Sequence, residues 1–244
     1  MQIGREAAAQ VRKEMTIVNN PALTAEVNAV GQRLMASKEA EASGFPFTFQ
    51  VVADPAINAF ALPGGPMFIN TGLLRAVDNE GELAGVMAHE MSHVILRHGT
   101  NQASKANLIE LPALLAGQIL GGSGGMMGQL AQLGIGLGAN SVLLKFSRTA
   151  ESQADLLGSH LMAEAGYDPM QMARFFEKLN SEGGSGGLQF LSDHPNPDNR
   201  EKAIEQEVAR LPERTYGYRT GEFERMKKAL ATIHEPASKP RAAQ

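Results

Sequence analysis

The sequence predicts a predominantly helical α+β fold, in which a small antiparallel sheet backs one central helix. Most of the chain repeats its apolar residues at helical spacing, and three short β-prone runs cluster between positions 47 and 70. The pattern His-Glu-Met-Ser-His sits inside the strongest helix. With 244 residues the chain can bury a core without covalent staples. It has no cysteine, which excludes disulfides, thiolate metal sites, iron–sulfur clusters and cysteine nucleophiles. Any metal must therefore rest on His, Asp or Glu. A net charge of −4 with no Lys/Arg run lacks the basic field of a nucleic-acid binder.

From Met1 to Glu41 the spacing predicts two amphipathic helices, the second opened by Asn20 and Pro21. The opening residues alternate charges with short apolar steps and do not read as a signal peptide. Phe47–Ala53, Ile57–Leu62 and Met67–Asn70 are the strands, punctuated by Asp54-Pro55 and by Pro63-Gly64-Gly65-Pro66. After Asp78 the central helix is expected to run to Gly99, with that glycine as its left-handed stop.

Leu111–Leu144 has no charged residue, and nine of its 34 positions are glycine. Because the cluster at Gly121–Gly125 divides it, the stretch makes a poor membrane span and reads as a helical hairpin. It could pack on the domain, on an envelope protein or on a membrane surface. Phe146–Ala165 is helical, and Asp168-Pro169 starts a further helix through Leu179. A Gly183–Gly187 linker and a polar loop precede a helix from about Pro197 to Leu211, followed by one from Glu222 to Ile233. The expected organisation is one domain over residues 1–212, with residues 108–145 as an apolar insertion. A C-terminal helix and flexible tail occupy residues 213–244.

The chemistry begins on the central helix. His89 and His93 are four residues apart, so both imidazoles leave one face and can clamp one ion. Glu90 points beside them, where it can act as general base on a metal-bound water. With 6 histidines, a shuffled chain would show this pattern in roughly 1% of orders, so accident is a weak explanation. A third protein ligand is required. On a continuous helix His98 faces away from His93, and the spacing of a three-histidine site would put its last ligand at Gly99. Glu151 is the better candidate, with Asp155 four residues on to bond a ligand histidine's free nitrogen. On spacing alone, a polar helix face paired with Arg148 competes with that assignment. His160 is half a turn out of phase and reads as structural, and His234 is assigned nothing.

Four segments together resemble a known family: NAFALPGG at Asn58–Gly65, AHEMSHVILRHG at Ala88–Gly99, SRTAESQAD at Ser147–Asp155 and DHPNPDNR at Asp193–Arg200. It is the gluzincin metallopeptidase family of HtpX, the CAAX prenyl protease and the periplasmic protease BepA, metallopeptidase family 48. The resemblance implies a zincin-like fold and one zinc ion per chain, held by His89, His93 and Glu151. It further implies Glu90 as base and Asp155 as support. His194 resembles the family's histidine before proline, which could stabilise an oxyanion or fill the open zinc position and keep the enzyme latent. A purely local loop histidine is the bland alternative. Arg200 positions that loop or the oxyanion, or else forms a surface salt bridge.

The membrane-spanning helices of several relatives have no counterpart here beyond the glycine-broken stretch, so the chain resembles the soluble branch in the bacterial periplasm or cell envelope. The expected activity is zinc-dependent endoproteolysis of unfolded or misassembled proteins in envelope quality control. Ile57–Ala61 would serve as the edge strand on which a substrate pairs, with Asn58, Ala59 and Phe60 as its contacts. The alternative is a chaperone-like or assembly-factor binding protein with a latent zinc site.

Overall fold

The computed structural model describes residues 2–101, 146–182, 190, 191, 193–195 and 199–235. The expected hairpin at 108–145, the Gly183–Gly187 linker and the end of the tail lie outside the described residues.

Two helices open the chain, α1 (Gln2–Glu14) and α2 (Pro21–Met35). The second begins where the sequence says it should, because the Asn20 side chain accepts hydrogen bonds from the amides of Ala22 and Leu23 at 3.0 and 3.3 Å. Leu23, Val27, Val30 and Leu34 form its buried face. A Cβ added at Gly31 would meet the ring of Phe49 at 2.2 Å, so the bare backbone lets α2 lie on the sheet. A short α3 (Lys38–Ser43) follows and stops at Gly44, which adopts φ 67°.

The sheet comprises β1 (Thr48–Val52), β2 (Ala59–Ala61) and β3 (Pro66–Asn70), in the order β1-β3-β2. It is mixed, which corrects the expectation of an antiparallel sheet. β2 and β3 form the expected hairpin, turned by Gly64 and Gly65 at φ 91° and 113°. The returning strand inserts between its predecessors, however, and pairs parallel with β1. As the middle strand, β3 is buried on both faces. Met67 and Ile69 join Phe49, Val51 and α2 in the main core, while Phe68 packs with Val52 and Leu62 against Ala7, Ala8 and Val11 of α1. This order leaves β2 on the edge.

A short helix absent from the sequence reading, α4 (Thr71–Ala76), leads to the central helix α5 (Glu80–Ile95). Asn79 caps α5 by accepting from the Glu82 amide at 3.0 Å, and the Glu82 carboxylate accepts from the Asp78 amide at 2.8 Å. Every residue of α5 up to Val94 is buried, so its amphipathic pattern is weak and its position central. The helix ends at Ile95 rather than Gly99. Arg97, not the glycine, takes the left-handed conformation at φ 59°, and the chain then re-enters a helical turn at 98–101. That conformation costs about 1–2 kcal/mol for a residue with a Cβ. Its guanidinium lies 5.6 Å from the centre of the Phe45 ring, a contact that offsets part of the cost.

Against α5 lie α6 (Arg148–Glu164) and α7 (Met170–Glu182). Ser147 caps α6 by accepting from the Ala150 amide at 3.2 Å, and Gly166 at φ 75° follows its end. A Cβ built on Gly158 would already sit 3.3 Å from the His89 amide nitrogen, so α5 and α6 meet nearly backbone to backbone. The last helices are α8 (Arg200–Val208) and α9 (Thr220–Leu230). Phe223, Met226 and Leu230 of α9 enter the main core. Among the described residues, no helix is long and apolar enough to cross a membrane.

The segment before α9 is pinned by a buried charge network. The Glu80 carboxylate accepts from the Tyr167 hydroxyl at 2.6 Å, from the Arg219 side chain at 2.9 and 3.1 Å, and from the Arg219 backbone amide. Glu26 shares the same guanidinium at 3.5 Å. Burial first, and then the nearby Glu80 charge, raise Glu26 from its ordinary 4.5 to about 7. The folded state thus holds a proton that the unfolded chain has released, and stability declines as pH rises from about 4.5 to 7. Melting temperatures should therefore fall between pH 5 and pH 8 more steeply in the wild type than in Glu26→Gln. Equal slopes would show that Glu26 ionises as it does in a free peptide.

Candidate metal centre

The helical period of α5 and the close approach of α6 bring four donor side chains to one buried point. His89 and His93 project from the same face of α5, with their Nε2 atoms 3.1 Å apart. Glu151, in the first turn of α6, places Oε2 at 3.3 Å from His89 Nε2 and Oε1 at 3.4 Å from His93 Nε2. His194 enters from the loop before α8, its Nδ1 at 3.3 Å from His89 Nε2 and 3.2 Å from Glu151 Oε1. All four are buried, and among the described residues they are the group able to hold a metal.

The remaining bonds of these rings decide what belongs between them. His89 Nδ1 meets Asp155 Oδ1 at 2.9 Å, and His93 Nδ1 meets His98 Nδ1 at 3.0 Å. With their other nitrogens so engaged, the two Nε2 atoms turn lone pairs toward each other and toward a carboxylate. A cation satisfies all three. The spacing fits one as well, since vertices of a tetrahedron about 2.0 Å from its centre lie about 3.3 Å apart. The observed separations run from 3.1 to 3.4 Å, with Glu151 turning Oε2 to His89 and Oε1 to His93 and His194, so that both carboxylate oxygens border the site.

Arg200, the first residue of α8, holds the acids in place. Its Nε donates to Asp155 Oδ2 at 2.6 Å and its Nη2 to Glu151 Oε2 at 3.2 Å. The guanidinium is buried and lies 4.3 Å from the centre of the Phe176 ring. This removes the surface salt bridge from the readings of Arg200. Phe176, Phe190 and Phe146 pack around the rings, the last with its centroid 4.0 Å from that of His93.

Electrostatics favours positive charge at this point. Burial alone would push His89 down, yet its bonds to Asp155 and Glu151 bring it up to about 9. Burial also opposes ionisation of Glu151, and the neighbouring His194 and His89 more than reverse that, holding it well below the carboxylate range. His93 falls well below its ordinary value because it is buried beside other imidazoles. Glu90 is raised by burial.

Glu90 stands at the rim. Its Oε2 accepts from the Ala61 amide of β2 at 3.2 Å, and its Oε1 lies 3.2 Å from His194 Nε2. Along β2 the Leu62 amide and the Asn58 carbonyl bond to β3, so Asn58, Phe60 and Leu62 share the inward phase. Ala59 and Ala61 turn their backbone groups away from β3, where Ala59 is buried and the Ala61 amide is taken by Glu90. The buried Asn58 side chain instead donates to Asp193 Oδ2 at 3.4 Å, linking β2 to the His194 segment, and Phe60 stacks on Phe68.

His98 is where the reading of a continuous helix fails. The left-handed Arg97 breaks α5, and the His98 ring returns to His93 instead of facing away. Its Nε2 lies 3.2 Å from Gln153 Oε1, a residue that sequence reasoning did not single out. The signal was present as a second histidine one turn beyond the motif, but only the chain reversal makes it legible. His160 lies elsewhere and bonds Glu207 at 2.8 Å.

The family model of peptidase family M48 matches residues 21–208, a span that contains every one of these side chains. The chain is 34% identical over 206 residues to the beta-barrel assembly-enhancing protease of Escherichia coli (strain K12), covering 82% of this chain and 42% of that one. It is also 34% identical over 166 residues to the mitochondrial metalloendopeptidase OMA1 of Schizosaccharomyces pombe, covering 67% and 47%. To the protein of that name from Arabidopsis thaliana it is 33% identical over 163 residues, covering 67% and 32%. The chain thus spans less than half the length of these relatives.

Removing a cation from a buried ion network strands its acids, at a cost of about 3–5 kcal/mol. Arg200→Met should lose stability on that scale in urea unfolding, since both Glu151 and Asp155 lose a donor. A loss below about 1 kcal/mol would mean that the acids are balanced without Arg200.

Proposed function

The chain belongs to peptidase family M48, and on that premise we propose that it is a zinc-dependent metalloendopeptidase acting on unfolded or misassembled proteins. The observation that carries this reading is the buried convergence of His89, His93 and Glu151, with nitrogen and oxygen atoms 3.1 to 3.4 Å apart, beside the Glu90 carboxylate. His89, His93 and Glu151 are the proposed ligands. When bound there, zinc would act as Lewis acid toward the scissile carbonyl and the attacking water.

Glu90 is the proposed general base. Its carboxylate is held by the Ala61 amide, and its burial raises its proton affinity. Both features suit a group that takes a proton from the attacking water and delivers it to the leaving amine. A substrate in extended conformation would pair along β2 at its half-buried end, Phe60–Ala61, with the Ala61 amide remaining on Glu90. Such pairing reads main chain more than side chains, which suits unfolded clients. Asp155, itself gripped by Arg200, would orient His89 and keep its proton on Nδ1.

His194 would act in two states. Its Nδ1, 3.3 Å from His89 Nε2 and 3.2 Å from Glu151 Oε1, would supply a fourth vertex as a ligand that holds the site latent. Displacement of its loop would open that vertex to water and leave the imidazole beside the reacting carbonyl as an oxyanion donor. The filled vertex also favours a second reading, an assembly-factor or chaperone-like protein that binds clients at β2 with its metal site closed. The proposed location is the bacterial periplasm or cell envelope, supported by similarity to the beta-barrel assembly-enhancing protease.

Glu90→Gln separates the two. On an unstructured protein such as casein, the variant should lose at least about 100-fold in cleavage rate while retaining the metal content of the wild type. Undiminished cleavage would remove Glu90 from the mechanism. If wild type and variant both fail to cleave but bind unfolded chains equally, the binding reading replaces the enzyme. Incubation with a chelator should abolish cleavage, and added zinc should restore it; activity that survives full metal removal would exclude metal-assisted hydrolysis.

A further inference from the structure

The two histidines of α5 are braced differently. His89 is held by the Asp155 carboxyl group, which Arg200 in turn holds. The outer nitrogen of His93 meets no such acid among the described residues and faces His98. We propose that His98 is a positioning residue that fixes the orientation and tautomer of His93, with Gln153 as its anchor. The inference rests on the reading of His93 as a metal ligand.

The donor and acceptor roles along the chain follow from chemistry alone. His93 Nε2 faces the other donors of the cluster, so a ligating His93 carries its hydrogen on Nδ1. That hydrogen points to His98 Nδ1, which lies 3.0 Å from His93 Nδ1 and must accept it through a lone pair. A neutral His98 accepting at Nδ1 carries its own hydrogen on Nε2. There the partner is Gln153 Oε1 at 3.2 Å, an acceptor. Donors and acceptors alternate from α5 through His98 to α6 without conflict. The opposite arrangement would put a hydrogen on His93 Nε2, the atom whose lone pair a ligating His93 needs.

Two backbone features build the chain. Arg97 in the left-handed conformation turns His98 back onto α5, which a continuous helix would prevent. Gln153 lies two residues after Glu151, so the element that supplies the carboxylate also anchors the brace. The brace is uncharged. Glu90, Glu151 and Asp155 against Arg200 leave two negative charges around the site, which a dication neutralises; a carboxylate in place of His98 would leave one in excess.

The test is metal affinity, with rescue by shape. In His98→Asn the amide oxygen can stand where Nδ1 stood and accept from His93, whereas His98→Leu fills similar space and accepts nothing. Zinc affinity measured by competition with a chelating dye should fall about 10- to 100-fold in the Leu variant, and the Asn variant should recover most of it. In the zinc-loaded wild type, nitrogen chemical shifts should show hydrogen on His93 Nδ1 and on His98 Nε2. An affinity unchanged in His98→Leu, an Asn variant no better than Leu, or a His98 hydrogen on Nδ1 would each overturn the proposal. A wild type that binds no zinc would instead overturn the metalloenzyme reading, and this inference with it.

Discussion

The structure depends on keeping three acids, Glu90, Glu151 and Asp155, buried together at the junction of α5 and α6. Each would be costly to bury alone. Asp155 and Glu151 share the guanidinium of Arg200, Glu151 and Asp155 each meet His89, and Glu90 takes a backbone amide from β2. Much of the fold can be read as the means of bringing these partners in. Gly158 sets the helices close enough, α8 starts with the arginine, and the β2–β3 hairpin presents an edge amide to Glu90. The arrangement still holds less positive charge than its acids call for. The geometry of the imidazole nitrogens points to where the missing charge belongs.

Much of this site was legible because helices repeat. Four-residue spacing put His89 with His93 and Glu151 with Asp155 on common faces, and the chemistry of the residue types did the rest. The capping side chain of Asn20 likewise marked where α2 begins. What spacing could not supply was contact across the fold. Arg200 in a polar loop sequence reads equally as a surface residue, and only the docking of α8 buries it on Asp155 and Glu151. The phenylalanines around the histidines come from three separate segments.

The departures have identifiable physical causes. A short strand pattern carries no information on pairing direction, so the insertion of β3 between β1 and β2 lies beyond what alternation can say. The end of α5 was assigned to Gly99 because glycine takes a positive φ at least cost. Arg97 does so instead, and stacks its guanidinium on Phe45. That one backbone choice relocates His98 from the far side of the helix to the back of His93. Asn58 shows the same limit, since its carbonyl goes to β3 and its side-chain amide to Asp193.

The central claim is that a zinc ion belongs between His89, His93 and Glu151, and the direct measurement is X-ray absorption at the zinc edge on the purified chain, with elemental analysis of the same sample. The account predicts one zinc per chain in a four-coordinate shell of nitrogen and oxygen at about 2.0–2.1 Å, with the scattering signature of at least two imidazoles. A chain that takes up no zinc at neutral pH, or whose metal sits in an all-oxygen shell without imidazole, would contradict it.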